Sequence, residues 1–110
     1  MSDLKSQAEN YDLESLKNSL DRHDENIESL QVAIKHQEEF MDNERYMISD
    51  LQADKSLDQE HVRIDVGRLK DNIARHKEEI RVFKEEIEQE QARRRDTERL
   101  IMYKEMAVGS

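Results

Sequence analysis

The chain has 110 residues, of which 41% are charged and 35% hydrophobic, with two Gly and no Pro, Cys or Trp. An ordinary globular domain is about half apolar and a quarter charged, so this composition argues against a compact single core and, lacking helix breakers, predicts long helices. The net charge of −9 argues against general nucleic-acid binding, and the absence of Cys excludes disulfides, thiolate metal sites and cysteine nucleophiles.

The N-terminal flank, residues 1–10, contains no apolar stretch of the kind that forms the core of a signal peptide. Elsewhere no apolar run approaches the roughly 20 residues that a membrane span requires. We therefore expect no secretion by a signal peptide and no membrane partner. We expect it to be cytoplasmic or held within a macromolecular assembly.

Residues 11–51 form the first predicted coiled-coil segment, because apolar residues recur there at alternating steps of three and four. In a heptad lettered a to g, such residues occupy positions a and d and face the partner helix. Position a is apolar throughout: Leu13, Leu20, Ile27, Ile34, Met41 and Ile48. Position d is polar in three of its six residues: Leu16, His23, Leu30, Gln37, Glu44 and Leu51.

The heptad pattern is interrupted over residues 52–61, where a continued frame would place Lys55 and Asp58 in the core. Two explanations remain open: a turn between two helices, or a four-residue stutter in one unbroken helix. Ser56 and Gln59 have the spacing of a capping box, which favours a turn. The absence of Gly, Pro and Asn from this stretch favours the continuous helix.

The second predicted coiled-coil segment, residues 62–99, restores the pattern with apolar residues seven apart. Its a positions are Val66, Ile73, Ile80 and Ile87, and its d positions are Val62, Leu69, His76 and Phe83. The predicted coiled-coil core combines the apolar positions of both segments: Leu13, Leu16, Leu20, Ile27, Leu30, Ile34, Met41, Ile48, Leu51, Val62, Val66, Leu69, Ile73, Ile80, Phe83 and Ile87.

The polar core positions favour antiparallel pairing of the two halves. Pairing about a centre near Ser56 places Gln37 beside His76 and His23 beside Glu90, so these four residues form polar core layers. A parallel dimer in register would instead set Glu90 against Glu90, which is unfavourable. We therefore predict an all-α fold, an extended coiled coil with its halves antiparallel. It is either a helical hairpin or one long continuous helix in a homo-oligomer.

Charge is distributed unevenly along the chain. Residues 1–55 hold 14 acids and 6 bases, and residues 56–110 hold 13 acids and 12 bases. The late basic residues are Arg93, Arg94, Arg95, Arg99 and Lys104. Antiparallel pairing would bring this basic cluster towards Asp12, Glu14 and Asp21, and such complementarity selects orientation. The cluster is sparser than a zipper-type basic region, so we do not expect nucleic acid as a partner.

The four histidines are the first candidates for chemistry. His61 and Asp65 are four residues apart and could share a metal ion, but a third ligand is missing, so we predict no metal site. His23 and His76 are better explained as core layers that fix the register, and their titration could make assembly sensitive to pH. The chain has no phosphate-binding loop or nucleophile elbow, so we expect no cofactor, no catalytic residue and no enzymatic activity.

The apolar C-terminal tip, residues 100–110, follows the basic cluster. One face of a helix cannot bury all of its large apolar residues, so some of them are free to contact another protein. The predicted partner-docking residues are Leu100, Ile101, Met102, Tyr103 and Met106. The alternatives are a wider contact within the coiled coil and an anchor at a membrane surface.

We therefore expect a non-catalytic coiled-coil structural or assembly protein. It would act as a rigid spacer or scaffold that associates with itself and docks a partner through its C-terminal end. In its heptads, the run 13–40 resembles short bacterial and phage coiled-coil proteins, and a virion component is one role considered. The alternative is a small regulatory or chaperone-like adaptor that binds a client transiently.

Overall fold

A computed structural model describes the backbone of residues 12–109 and the side chains of residues 12–107. Helix α1 is Leu13–Ala53 and helix α2 is Gln59–Gly109, and the described part of the chain contains no β-strand. The all-α prediction is therefore confirmed. The predicted N-terminal flank, residues 1–10, lies outside the described residues.

Helix α1 begins at a side-chain cap. The Asp12 carboxylate accepts a hydrogen bond from the backbone N–H of Ser15 at 2.7 Å, and the Asp12 carbonyl accepts the N–H of Leu16 at 3.2 Å. These are bonds of an N-cap residue, which satisfies N–H groups that have no partner within the helix. The bond from the Ser15 N–H also holds the pKa of the Asp12 carboxyl below its ordinary value.

Residues 54–58 form a turn, so the helix is not continuous through the interrupted stretch. The Asp54 carboxylate accepts hydrogen bonds from the Ser56 hydroxyl at 2.5 Å and from the Ser56 N–H at 3.0 Å. The Leu57 N–H donates to the Asp54 carbonyl at 3.4 Å. An Asp side chain that bonds the backbone two residues later reproduces a turn, which explains how the chain leaves the helix without Gly or Pro.

The cap of α2 is Asp58, which corrects the capping box expected from Ser56 and Gln59. The Asp58 carboxylate accepts the N–H of Glu60 at 3.0 Å, and its carbonyl accepts the N–H of Val62 at 3.0 Å. The Gln59 side chain instead donates to the Leu57 carbonyl at 3.0 Å. Ser56 is engaged by Asp54, so a different acidic residue caps the helix.

The described chain divides into two compact units, each built from a stretch of both helices. The turn unit, residues 31–84, is a helical hairpin whose buried apolar side chains are Met41, Val62, Val66 and Ile73. The terminal unit comprises residues 12–30 and 85–109, where Leu16 packs against Leu100 with Ile101 beside them. Among the described side chains none is completely buried, so each unit has a thin core. In residues 12–109, no helix is long and apolar enough to cross a membrane.

Candidate functional site: buried histidine clusters and an apolar tip

A cluster around His76 links the two helices of the turn unit. The His76 Nδ1 lies 2.5 Å from the Gln37 side-chain oxygen, and its Nε2 lies 2.8 Å from a carboxylate oxygen of Glu44. The Phe40 ring stacks on the imidazole with centroids 5.6 Å apart. Gln37, Phe40 and Glu44 share one side of α1 because they are separated by steps of three and four. Three side chains therefore hold one imidazole, and a protonated ring would donate to both oxygens.

Glu44 is a charged residue at a d position of α1, and its contact with α2 is made through His76. Glu44 reaches His76, and its carboxylate is mostly buried, with the side chain 15% exposed. The second oxygen of this carboxylate is buried without a hydrogen-bond partner. Removing the histidine would leave a partly buried carboxylate with neither of its oxygens paired, which is energetically costly.

A second cluster joins the helices of the terminal unit through His23 and Glu90. The His23 Nδ1 contacts a carboxylate oxygen of Glu90, and the other oxygen of Glu90 accepts a bond from Arg93 at 3.1 Å. The bond with His23 holds the pKa of the Glu90 carboxyl below its ordinary value, against the opposing effect of burial. The charge of Arg93 and a bond from Asn26 act in the same direction as His23.

The basic cluster is largely engaged in ion pairs. Arg94 contacts Asp24 on α1 at 2.5 Å and also contacts Glu98 on its own helix. Arg99 lies 3.7 Å from Asp96. On α1, the acidic residue that contacts the basic cluster is thus Asp24. From the sequence we expected Asp12, Glu14 and Asp21. Lys104 lies near enough to Asp12 to help lower the pKa of that carboxyl, after the larger effect of Ser15.

The remaining histidines lie at the surface. His36 is exposed, and His61 Nδ1 lies 3.5 Å from Asp58, the cap of α2, where the sequence had suggested a pair with Asp65. Among the described residues no group of three metal-ligating side chains lies together.

The predicted core residues all lie on partly or fully shielded sides of the helices. Six of the predicted apolar positions and tip residues are buried, and they are Leu16, Met41, Val62, Val66, Ile73 and Leu100. The other predicted core positions are half-buried: Leu13, Leu20, Ile27, Leu30, Ile34, Ile48, Leu51, Leu69, Ile80, Phe83 and Ile87. The polar layers His23, Gln37 and His76 are half-buried, and Glu90 is buried.

The predicted docking residues separate into two groups. Leu100 is buried against Leu16, and Ile101 packs beside that pair, so both belong to the interior of the terminal unit. Met102 is 61% exposed, Tyr103 42% and Met106 65%. These three residues, called the exposed tip below, project from the last turns of α2.

One feature of the turn unit was missed by sequence reasoning: an apolar groove beside the seam. Its volume is about 420 Å³, and it is lined by Met47, Asp50, Leu51, Asp65, Arg68 and Leu69. A signal for it was available. Phe40 and Met47 each precede an a position, so they occupy position g of successive heptads, and both are 51% exposed.

Comparisons with known proteins yield no relative: no family model, no curated protein and no solved structure matches this chain.

Proposed function

We propose that this chain is a non-catalytic structural or assembly protein, a rigid helical spacer that docks a partner protein through its exposed tip. The exposure of Met102, Tyr103 and Met106 carries this proposal. A surface patch of large apolar side chains often marks a site of interaction with another protein. Leu100 and Ile101, in the same stretch of α2, pack in the interior of the terminal unit.

The proposal includes antiparallel pairing of α1 and α2 as a two-stranded coiled coil. Contacts within the terminal unit support it, because α2 numbers fall as α1 numbers rise: Lys17 lies 3.9 Å from Glu105, while His23 contacts Glu90. The histidine clusters support it as well. Each joins polar groups that would be unpaired in another register, and polar core layers are a known means of fixing register.

The ion pairs of the basic cluster favour a protein partner over a nucleic-acid partner. Arg93, Arg94 and Arg99 each contact an acid, so their charges are already compensated locally. Phosphate binding depends on basic residues that exchange counterions for phosphates. We therefore propose that the chain associates with itself and with another protein, with neither nucleic acid nor membrane as its partner.

The test is to isolate the tagged full chain from its native source under gentle conditions and to weigh the complexes it forms. We expect a complex of fixed stoichiometry that contains the chain and a second protein. The double substitution Met102→Glu and Met106→Glu should abolish it. Ile64→Glu is the matched control, because Ile64 is an apolar side chain that is 49% exposed elsewhere on α2.

The outcomes separate the roles. Loss of the complex with both the tip variant and the Ile64 control would contradict docking at the tip, as would an unaffected complex with the tip variant. A second protein that is bound early and released from the finished assembly would contradict the spacer role and point to a transient adaptor.

A further inference from the structure

Both nitrogens of the His76 ring face an oxygen atom of α1. Nδ1 lies 2.5 Å from the side-chain oxygen of Gln37, and Nε2 lies 2.8 Å from a carboxylate oxygen of Glu44. An amide oxygen and an ionised carboxylate accept hydrogen bonds and donate none. A neutral imidazole has one N–H and can donate to one of these oxygens, whereas an imidazolium has two and can donate to both. The geometry of the cluster therefore fits the protonated ring.

The other groups on α1 that surround the ring also favour a positive charge. The Phe40 ring stacks on the imidazole with centroids 5.6 Å apart and an angle of 29° between the planes. The face of an aromatic ring attracts a cation that lies within about 6 Å of its centroid. The second oxygen of Glu44 is buried without a hydrogen-bond partner, so this carboxylate relies on His76 for a compensating charge.

The charged groups of α2 near His76 are exposed. Arg75 and Lys77 are its neighbours along the chain, and the Arg75 side chain donates a hydrogen bond to Asn72. Glu79, three residues after His76, is exposed as well. Water and salt screen exposed charges much more than partly buried ones. The carboxylate of Glu44 is therefore the charge that acts most strongly on the ring.

We propose that the His76 cluster is a proton-binding site through which acidification tightens the turn unit. Protonation supplies the second N–H, so that the ring bonds α1 at Gln37 and at Glu44 together. Loss of this proton leaves one of the two oxygens without a donor. The added stability is present while the ring is protonated and is lost as pH rises and the proton leaves. All of these contacts lie within the turn unit, so the device is independent of docking at the exposed tip.

Nuclear magnetic resonance of the full chain, labelled at its histidine nitrogens, tests the charge of the ring directly. An imidazolium has two protonated nitrogens and a neutral ring has one. At about pH 7.5 a free imidazole is mostly neutral. We expect two protonated nitrogens in His76 at this pH and one in His36, which is exposed. The signals of His76 are identified by their loss in His76→Gln or, if that variant does not fold, by substituting the other histidines in turn.

Glu44→Gln removes the compensating charge with little change of shape. In this variant we expect His76 to have one protonated nitrogen at about pH 7.5, as a free imidazole does. Glu39→Gln is the matched control, because Glu39 is an exposed carboxylate of the same helix, and it should leave His76 charged. A neutral His76 in the unmodified chain at this pH, accepting a bond from the Gln37 amide, would overturn the proposal. A ring that stays charged in Glu44→Gln would do the same.

Unfolding in denaturant measures the consequence for the fold. The folding equilibrium constant of the unmodified chain, divided by that of His76→Gln, should rise by about threefold or more from about pH 8.5 to about pH 6. The comparison with a variant cancels the titration of other groups, such as His23. The same ratio for His36→Gln should not change with pH, because an exposed imidazole has similar surroundings in the folded and unfolded chain. A ratio for His76→Gln that is constant, or that falls on acidification, would contradict a site that binds a proton on folding.

Discussion

At the scale of single residues, the two histidines act as connectors between helices. His76 is held by Gln37 and Glu44, and His23 is held by Glu90. Each contact pairs polar groups that are partly buried between the two helices. A polar layer of this kind contributes to specificity of register as much as to stability.

His76→Ala should lower the free energy of unfolding by about 1–3 kcal/mol, because it leaves the Glu44 carboxylate and the Gln37 amide partly buried without a partner. Denaturant unfolding followed by circular dichroism measures this. His36→Ala is the control, because His36 is an exposed histidine of α1, and it should change the free energy of unfolding little. The double variant His76→Leu and Glu44→Leu should recover the loss, because apolar packing can replace a buried polar pair. No loss in His76→Ala would contradict the assigned role.

The Glu90 carboxylate should make stability depend on acid pH. Its pKa in the folded chain is below its ordinary value because His23 bonds the charged form. The stabilisation is therefore fully present above the unfolded pKa and is lost as pH falls through the folded pKa. Thermal unfolding between pH 6 and pH 3 should show a smaller loss of stability for Glu90→Gln than for the unmodified chain.

Exposed Glu88 provides the control for this pH series. Glu88→Gln removes the same charge from α2 two residues away and should retain the acid sensitivity of the unmodified chain. Equal pH profiles for Glu90→Gln and the unmodified chain would show that the His23 contact does not favour ionised Glu90 in solution.

The pairs Gln37–His76 and His23–Glu90 were foreseen from heptad positions alone, and the structure places the same residues in contact. Heptad position is periodic, so it can be counted along the chain. The contact of Glu44 with His76 could not be predicted from heptad position. It depends on the reach and rotamer of a long side chain.

At the scale of the helices, the ends are set by acidic side chains. Asp12 caps α1, Asp58 caps α2, and Asp54 closes the turn between them. The sequence left the turn and the continuous helix equally open, because a turn without Gly, Pro or Asn has no strong local signal. Asp54 and Asp58 supply the missing turn chemistry. Backbone geometry decides which residue caps a helix, and this geometry could not be read from the sequence.

Asp58→Ala should lower the free energy of unfolding by about 1 kcal/mol, because the Glu60 N–H in the first turn of α2 loses its side-chain acceptor. Asp58→Asn keeps an acceptor at the same position and should be close to neutral. Chemical denaturation of the two variants measures the difference. Equal stability of Asp58→Ala and the unmodified chain would show that Asp58 is not the cap of α2.

At the scale of the whole molecule, composition predicted long helices and excluded cysteine chemistry, but it indicated no specific function. The structure adds two apolar surfaces with different positions in the chain: the exposed tip in the terminal unit and the apolar groove beside Met47 in the turn unit. The tip was visible as a run of apolar residues. The groove was not visible in this way, because Met47 is a single apolar residue between Tyr46 and an a position, and the other residues that line the groove are distant in sequence.

We propose that one chain folds back at residues 54–58 and that its two helices pair in opposite directions. Spin labels on cysteines introduced at Asp24 and Arg94 test this most directly, since the chain has no other cysteine and these side chains are in contact. Labelled chains are diluted with unlabelled ones, so that the distance measured is within one chain. We expect a distance typical of neighbouring side chains. A distance near 105 Å, as in one unbroken helix over 70 residues, would contradict it.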